Sequence, residues 1–159
     1  MRRWIQAMNR VMLWAGSTVL LGTMGIAVAN MVLRPLRMPI QGSFELLGFG
    51  GALIAAFALG PAQERRNHIA VDILFERFPA GLQRAFEGIS HLACAVFFGL
   101  VGYRLVLLGF ELRRAGELSE TLQIAFYPVV WLTALGTGVL VLTLLWDAWQ
   151  TWRPSGERR

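Results

Sequence analysis

Residues 11–33 read VMLWAGSTVLLGTMGIAVANMVL, 23 consecutive positions without a charge. The hydrocarbon core of a bilayer is about 30 Å thick, so a helix rising 1.5 Å per residue crosses it in about 20 residues. Only a helix satisfies its own backbone polar groups in that medium, apart from a closed barrel. Three further stretches have the same character. Residues 44–62 are apolar but for Glu45 near the start, 89–110 are interrupted by His91 and Arg104, and 122–146 are uncharged throughout. The expected fold is an all-α integral membrane protein with four transmembrane helices in a single domain, 1–159. Arg2 and Arg3 precede the first run and Ala27-Val28-Ala29 resembles a signal cleavage site. The hydrophobic region of a secretory signal is only about 7 to 15 residues long, however, so an uncleaved span is expected.

The composition agrees. Of 159 residues, 55 % are hydrophobic and 16 % charged, against about a quarter charged in a soluble domain, which excludes an ordinary soluble enzyme. All fifteen basic residues are arginine, for a net charge of +5. They are scattered in twos and threes between apolar blocks, with no basic stripe, so no nucleic-acid partner is expected. Cys94 is the only cysteine, which rules out an intrachain disulfide and a cysteine zinc site.

Ten arginines (2, 3, 10, 65, 66, 77, 84, 153, 158 and 159) lie in the N-terminus, the second connection and the tail; four (34, 37, 113 and 114) lie in the other two connections. The positive-inside rule then places both termini in the cytoplasm, with the bilayer anchored at that interface by Trp4, Trp146, Trp149 and Trp152. Between the second and third spans, residues 67–78 (NHIAVDILFERF) put Ile69, Ile73 and Leu74 on one helical face and Asp72 and Glu76 on another. At about twelve residues, closed by Pro79, this segment is too short to cross and is expected to lie at the interface as an amphipathic helix.

Within the second span, small residues recur at Gly48, Gly51, Ala52, Ala55, Ala56 and Ala58. Such a stripe lets backbones approach closely in lipid, so this helix is expected to be central. Weaker pairs are Gly25 with Ala29 and Ala134 with Gly138.

Few residues invite chemistry. Glu45 follows Ser43 at the head of its span, where the helix dipole favours a carboxylate and Ser43 is a capping residue. Arg104 lies six residues inside Phe110, about 9 Å at helical rise, and a charge at that depth pairs or snorkels. Glu45 is one expected partner for it and Glu111 another. His68 and His91 invite a haem-bearing membrane anchor, but one lies in a connection and the other barely inside a span, not at matching depths on facing helices. A small oligomeric exporter coupled through Glu45 is a second alternative; a coupling carboxylate belongs nearer mid-membrane, where burial raises its pKa. No catalytic, cofactor or metal residues are assigned.

The run RPLRMPIQGSFELLGFGGALIAAFALGPAQERRNHIAVDILFERFP (34–79) is similar to the signature region of the small membrane subunit of tripartite ATP-independent periplasmic (TRAP) transporters, the DctQ-like family. Pro39, Gly42, Ser43 and Glu45 match the loop that leads into the second helix, and Ala62, Arg65, His68, Ile69, Val71 and Asp72 match the stretch that follows it. Gln41 and Asn67 depart from the pattern, where proline or glycine is often found. The resemblance implies a non-enzymatic small subunit, without cofactor, in a bacterial or archaeal inner membrane. Its partners would be a large multi-span subunit that carries solute and ions, usually sodium, and a periplasmic binding protein that delivers an organic acid. The small subunit would brace the large one.

Overall fold

In the computed structural model the described residues are 2–66 and 80–152. They form four helices: α1 (Arg2–Leu33), α2 (Ser43–Arg66), α3 (Ala80–Ala115) and α4 (Tyr127–Trp152). All four are long and apolar enough to cross a membrane. The expected interfacial helix at 67–78, with His68 and Asp72, lies outside the described residues, as do the side chains of Arg65 and Trp152.

Three helices overrun the apolar runs that announced them. α1 begins at Arg2, α2 continues through Pro61 to Arg66, and α3 spans Ala80–Ala115, because arginine, glutamate and glutamine are good helix formers whatever their hydropathy. The fourth is a correction in the other direction. It starts at Tyr127 rather than Leu122, since residues 118–125 turn back on themselves: Leu118 and Ala125 form an antiparallel bridge, and Ser119 N–H donates to the Ile124 carbonyl at 2.9 Å. The Phe126 carbonyl accepts the first helical hydrogen bond, from Val130 N–H. Pro128 thus falls in the first turn, where its missing donor costs nothing.

α1 packs on α2, α2 on α4 and α4 on α3, with a narrow contact between α1 and α4. α4, not α2, holds most of the core: Ala134, Val139, Leu140, Leu144 and Ala148 are buried there, with Thr137 and Thr143. Leu59 of α2 and Phe98 of α3 close on the cluster of Ala95, Leu140 and Leu144.

The α1–α2 seam is antiparallel and repeats every seven residues. Asn9 bonds Glu64, Gly16 abuts Phe57, Thr23 lies on Gly50, and Asn30 bonds Ser43. A step of seven along α1 is matched by a step of seven back along α2, the geometry of left-handed helix pairs. α3 meets α4 through its own line at the same interval, Ala95, Gly102 and Gly109, and Gly88, seven residues before Ala95, is buried as well. A Cβ at Gly102 would touch Thr137, and one at Gly109 would run into the Trp131 indole. Small residues at each heptad step let the two backbones approach, which replaces the hydrophobic drive that lipid does not supply.

Of the stripe read from the sequence of α2, Ala56 is buried in a seam within the chain and most of the rest is not. Gly48 and Gly51 have nothing within 4 Å of where a Cβ would stand, and Ala52, Ala55 and Ala58 are exposed. The intrachain contacts fall instead on Gly50, Ala56, Phe57 and Gly60; a Cβ on Gly136 of α4 would meet the Ala56 backbone. Gly25 and Gly138 of the weaker pairs also face open space, whereas Ala134 is buried.

Candidate functional site

The end of the bundle that carries the α1–α2 and α3–α4 connections is built around two polar side chains. Asn30, near the end of α1, donates from Nδ2 to Ser43 Oγ at 3.0 Å and accepts the Ile40 N–H on Oδ1 at 3.0 Å. One amide thereby holds both the loop and the head of α2. Ser43 is buried, and the Gly42 carbonyl accepts the first helical bond, from Leu46 N–H. Gly42 has φ 73°, a conformation that glycine adopts without steric cost. A Cβ there would also strike the Leu122 side chain, so the residue is required twice over.

Glu45 lies one turn on. Its Oε1 accepts the Thr121 N–H at 2.8 Å, and its Oε2 accepts the Ser119 hydroxyl at 2.8 Å and the Leu122 N–H at 3.1 Å. The turn is shaped to present these donors: Gln123 has φ 53°, its N–H donates to the Ser119 carbonyl, and Ser119 Oγ also receives the Ile124 N–H. α3 ends with Gly116 at φ 66° and Glu117 N–H bonded to the Leu112 carbonyl, a Schellman closure that releases the chain toward Ser119. The carboxylate is therefore a strut between α2 and the α3–α4 connection.

Gly42, Ser43 and Glu45 stand together at the head of α2, with Pro39 exposed on the adjoining loop; the Ser43 hydroxyl, expected to cap the helix, is bonded by Asn30 instead. The Glu45–Arg104 contact is not formed. Arg104 is exposed on α3 among Phe97, Leu100, Val101 and Leu108, while both Glu45 oxygens are engaged by the turn. Ser119 and Thr121 lie in the connection before the fourth apolar run, where nothing local marks a partner for Glu45, and Leu122 stands at the head of that run, where it passes for helix. Pro128, six residues on, was the available signal for a later helix start.

Beside the strut, Trp131 gathers Phe110 and Tyr127 in edge-on contacts at 5.4 and 5.3 Å, with the Arg113 guanidinium 5.8 Å from its ring centroid. Phe126 meets Phe49 of α2 in the same way.

At the opposite end, Asn9 is 2 % exposed. Its Nδ2 donates to Glu64 Oε2 at 3.0 Å, and Thr143 Oγ1 lies 3.5 Å from its Oδ1 while donating to the Val139 carbonyl at 2.9 Å. This contact ties α1, α2 and α4. It was missed because Asn9 stands just outside the uncharged run that begins at residue 11. Of the tryptophans at this end, Trp4 and Trp149 are exposed, 77 % and 61 %. Trp146 is half-buried, and its indole N–H is enclosed without a hydrogen-bond partner among the described residues, so it packs inward rather than out to an interface.

Among the described residues no group of three His, Cys, Asp or Glu is placed to hold a metal ion. The long-range polar contacts lie at the two ends of the bundle and join one helix or connection to another.

No curated protein and no solved structure matches the chain. A family model does: that of the tripartite ATP-independent periplasmic transporters, DctQ component, matches residues 23–154. The match takes in the Asn30–Ser43 and Glu45–Ser119 contacts, the C-terminal third of α1 and the whole of α2, α3 and α4. The chain belongs to the DctQ family, the small membrane component of TRAP transporters, and is a multi-pass inner-membrane transporter component, not an enzyme.

Proposed function

We propose that this chain is the fixed scaffold of a TRAP uptake system for an organic acid. The family implies a large membrane subunit and a periplasmic binding protein as its partners. The large subunit carries the solute and the coupling ions, and this chain holds it in place. The open face of α2 (Gly48, Gly51, Ala52 and Ala55) seats a helix of the large subunit, since small side chains with empty space beside them admit a second backbone. Phe44, 85 % exposed, marks one end of that face. Pro39, Gly42, Ser43 and Glu45 set the outer end against the partner, and Arg65, His68 and Asp72 serve at the inner end. Both termini are cytoplasmic, on the ten-to-four division of arginines.

The observation that carries this proposal is the state of Glu45. A coupling carboxylate must release and regain its ion in each cycle. A carboxylate that accepts two backbone N–H groups and a hydroxyl from one turn is suited to holding helices in place. The test is uptake in cells that have the large subunit and binding protein but lack this chain. Abolished or severely reduced uptake is expected, and normal uptake would overturn the proposal.

A further inference from the structure

Arg104 is the one charge of α3 between Gly88 and Phe110, and it faces away from α4. The side turned to α4 is the line through Ala95, Gly102 and Gly109. Arg104 is exposed in an apolar groove formed by Phe97, Leu100, Val101 and Leu108, with Glu111 at the groove's end. Among the described residues it has no hydrogen-bond or ion-pair partner. Arginines within spans are rare; they face protein or water and pair with an anion, or else reach the headgroups.

Reaching the headgroups is disfavoured here. Arg104 stands six residues from Phe110 and eleven from Ala115, about 9 and 16 Å along the axis. Helical side chains lean toward their own N-terminus, and that end of α3 is at the far side of the bundle. The lean carries the guanidinium deeper, away from the nearer lipid phosphates. Glu111, seven residues on, is about 10.5 Å further out along the axis. Among the described residues a second copy of the chain offers no carboxylate at the right depth: Glu45 is held by the 119–122 turn, and Glu64 by Asn9 at the other end. In a pair related by an axis along the membrane normal, Glu111 would again stand two turns from Arg104.

We propose that this face of α3 docks a transmembrane helix of the large subunit that presents an aspartate or glutamate at the depth of Arg104, closing an intersubunit ion pair within the membrane. The apolar side chains beside Arg104 exclude water from the contact, which strengthens the pair, and the charge selects the partner and its register. This proposal rests on the chain's assembly with a large subunit.

The test uses the full-length chain co-expressed with its large subunit. Arg104→Glu and Arg104→Leu are expected to lower co-purification of the large subunit roughly tenfold or more, and Arg104→Lys to retain most of it. Thermal unfolding of the isolated small subunit should not move, because Arg104 touches no polar partner among the described residues. Reversing one carboxylate in a membrane helix of the large subunit should restore assembly with Arg104→Glu. A photo-reactive residue in place of Leu100 should crosslink to the large subunit. Undiminished co-purification of both variants would overturn the proposal, as would crosslinking only to lipid or only to a second copy. If loss of the chain abolishes uptake while Arg104→Glu leaves assembly intact, the scaffold role stands and this docking site falls.

Discussion

The Glu45 carboxylate and the Ser119 hydroxyl lie 2.8 Å apart although 74 residues separate them. That contact, with the Thr121 and Leu122 amides, couples the α1–α2 half of the chain to the α3–α4 half at the loop end. Asn9 does the same at the other end through Thr143. The bundle is pinned by polar contacts at both ends, and between them apolar and small side chains mesh.

Replacing Glu45 by Gln is expected to free the turn at 119–122. An amide keeps one carbonyl acceptor where the carboxylate offers two oxygens, so at least one donor loses its partner. Amide hydrogen exchange at Thr121 and Leu122 should quicken by roughly tenfold or more. Exchange at wild-type rates would show that the carboxylate does not hold the turn.

Two glycines should behave in opposite ways. Gly109→Ala forces a methyl group into the Trp131 indole and is expected to cost about 1–3 kcal/mol of stability, as overpacking does. Gly48 has open space beside it, so Gly48→Leu should leave unfolding of the isolated chain within about 0.5 kcal/mol of wild type. Its effect is expected in the yield of complex with the large subunit. Thermal denaturation of both variants, with co-purification of the second, checks the pair; a destabilised Gly48→Leu would place that residue in an intrachain seam.

Asn9→Ala should loosen the end opposite the turn. It removes the donor to Glu64 and leaves Thr143 beside a cavity, a loss of about 1–3 kcal/mol by the usual cost of a broken buried hydrogen bond. Denaturant titration in detergent measures it, and a change below about 0.5 kcal/mol would demote the cluster to a surface contact.

The tryptophans should divide by exposure. In single-tryptophan variants reconstituted in vesicles, Trp4 and Trp149, both exposed, are expected to be quenched by lipids brominated near the headgroup, where indoles settle. Trp131, enclosed by Phe110, Tyr127 and Gly109, is expected to be protected. Equal quenching of all three would contradict the packing of α3 on α4.

The number and character of the helices were legible in the sequence, because crossing hydrocarbon imposes a length and an apolarity that composition alone reveals. The place of Ser43 and Glu45 at the head of a helix was legible too, from their residue types, and that of Gly42 from the resemblance alone; the Asn30 and Ser119 bonds that hold Ser43 and Glu45 were not. Polar residues near the span ends, Asn9, Asn30 and Ser119, were legible only as irregularities, since hydropathy does not record which of them find partners.

Sequence by itself determined that this is a four-helix membrane protein of the DctQ kind, with small residues on several helix faces. Tertiary structure alone decided which of those faces meet within the chain. Ala95, Gly102 and Gly109 turn toward α4, while Gly48 and Gly51 turn away. A helix with small residues on two sides has two packing phases of similar energy in lipid, where neither is preferred by hydrophobicity. Long-range polar contacts, Asn9 to Glu64, Asn30 to Ser43 and Glu45 to Ser119, select between them, and no local pattern reveals a contact made across the bundle.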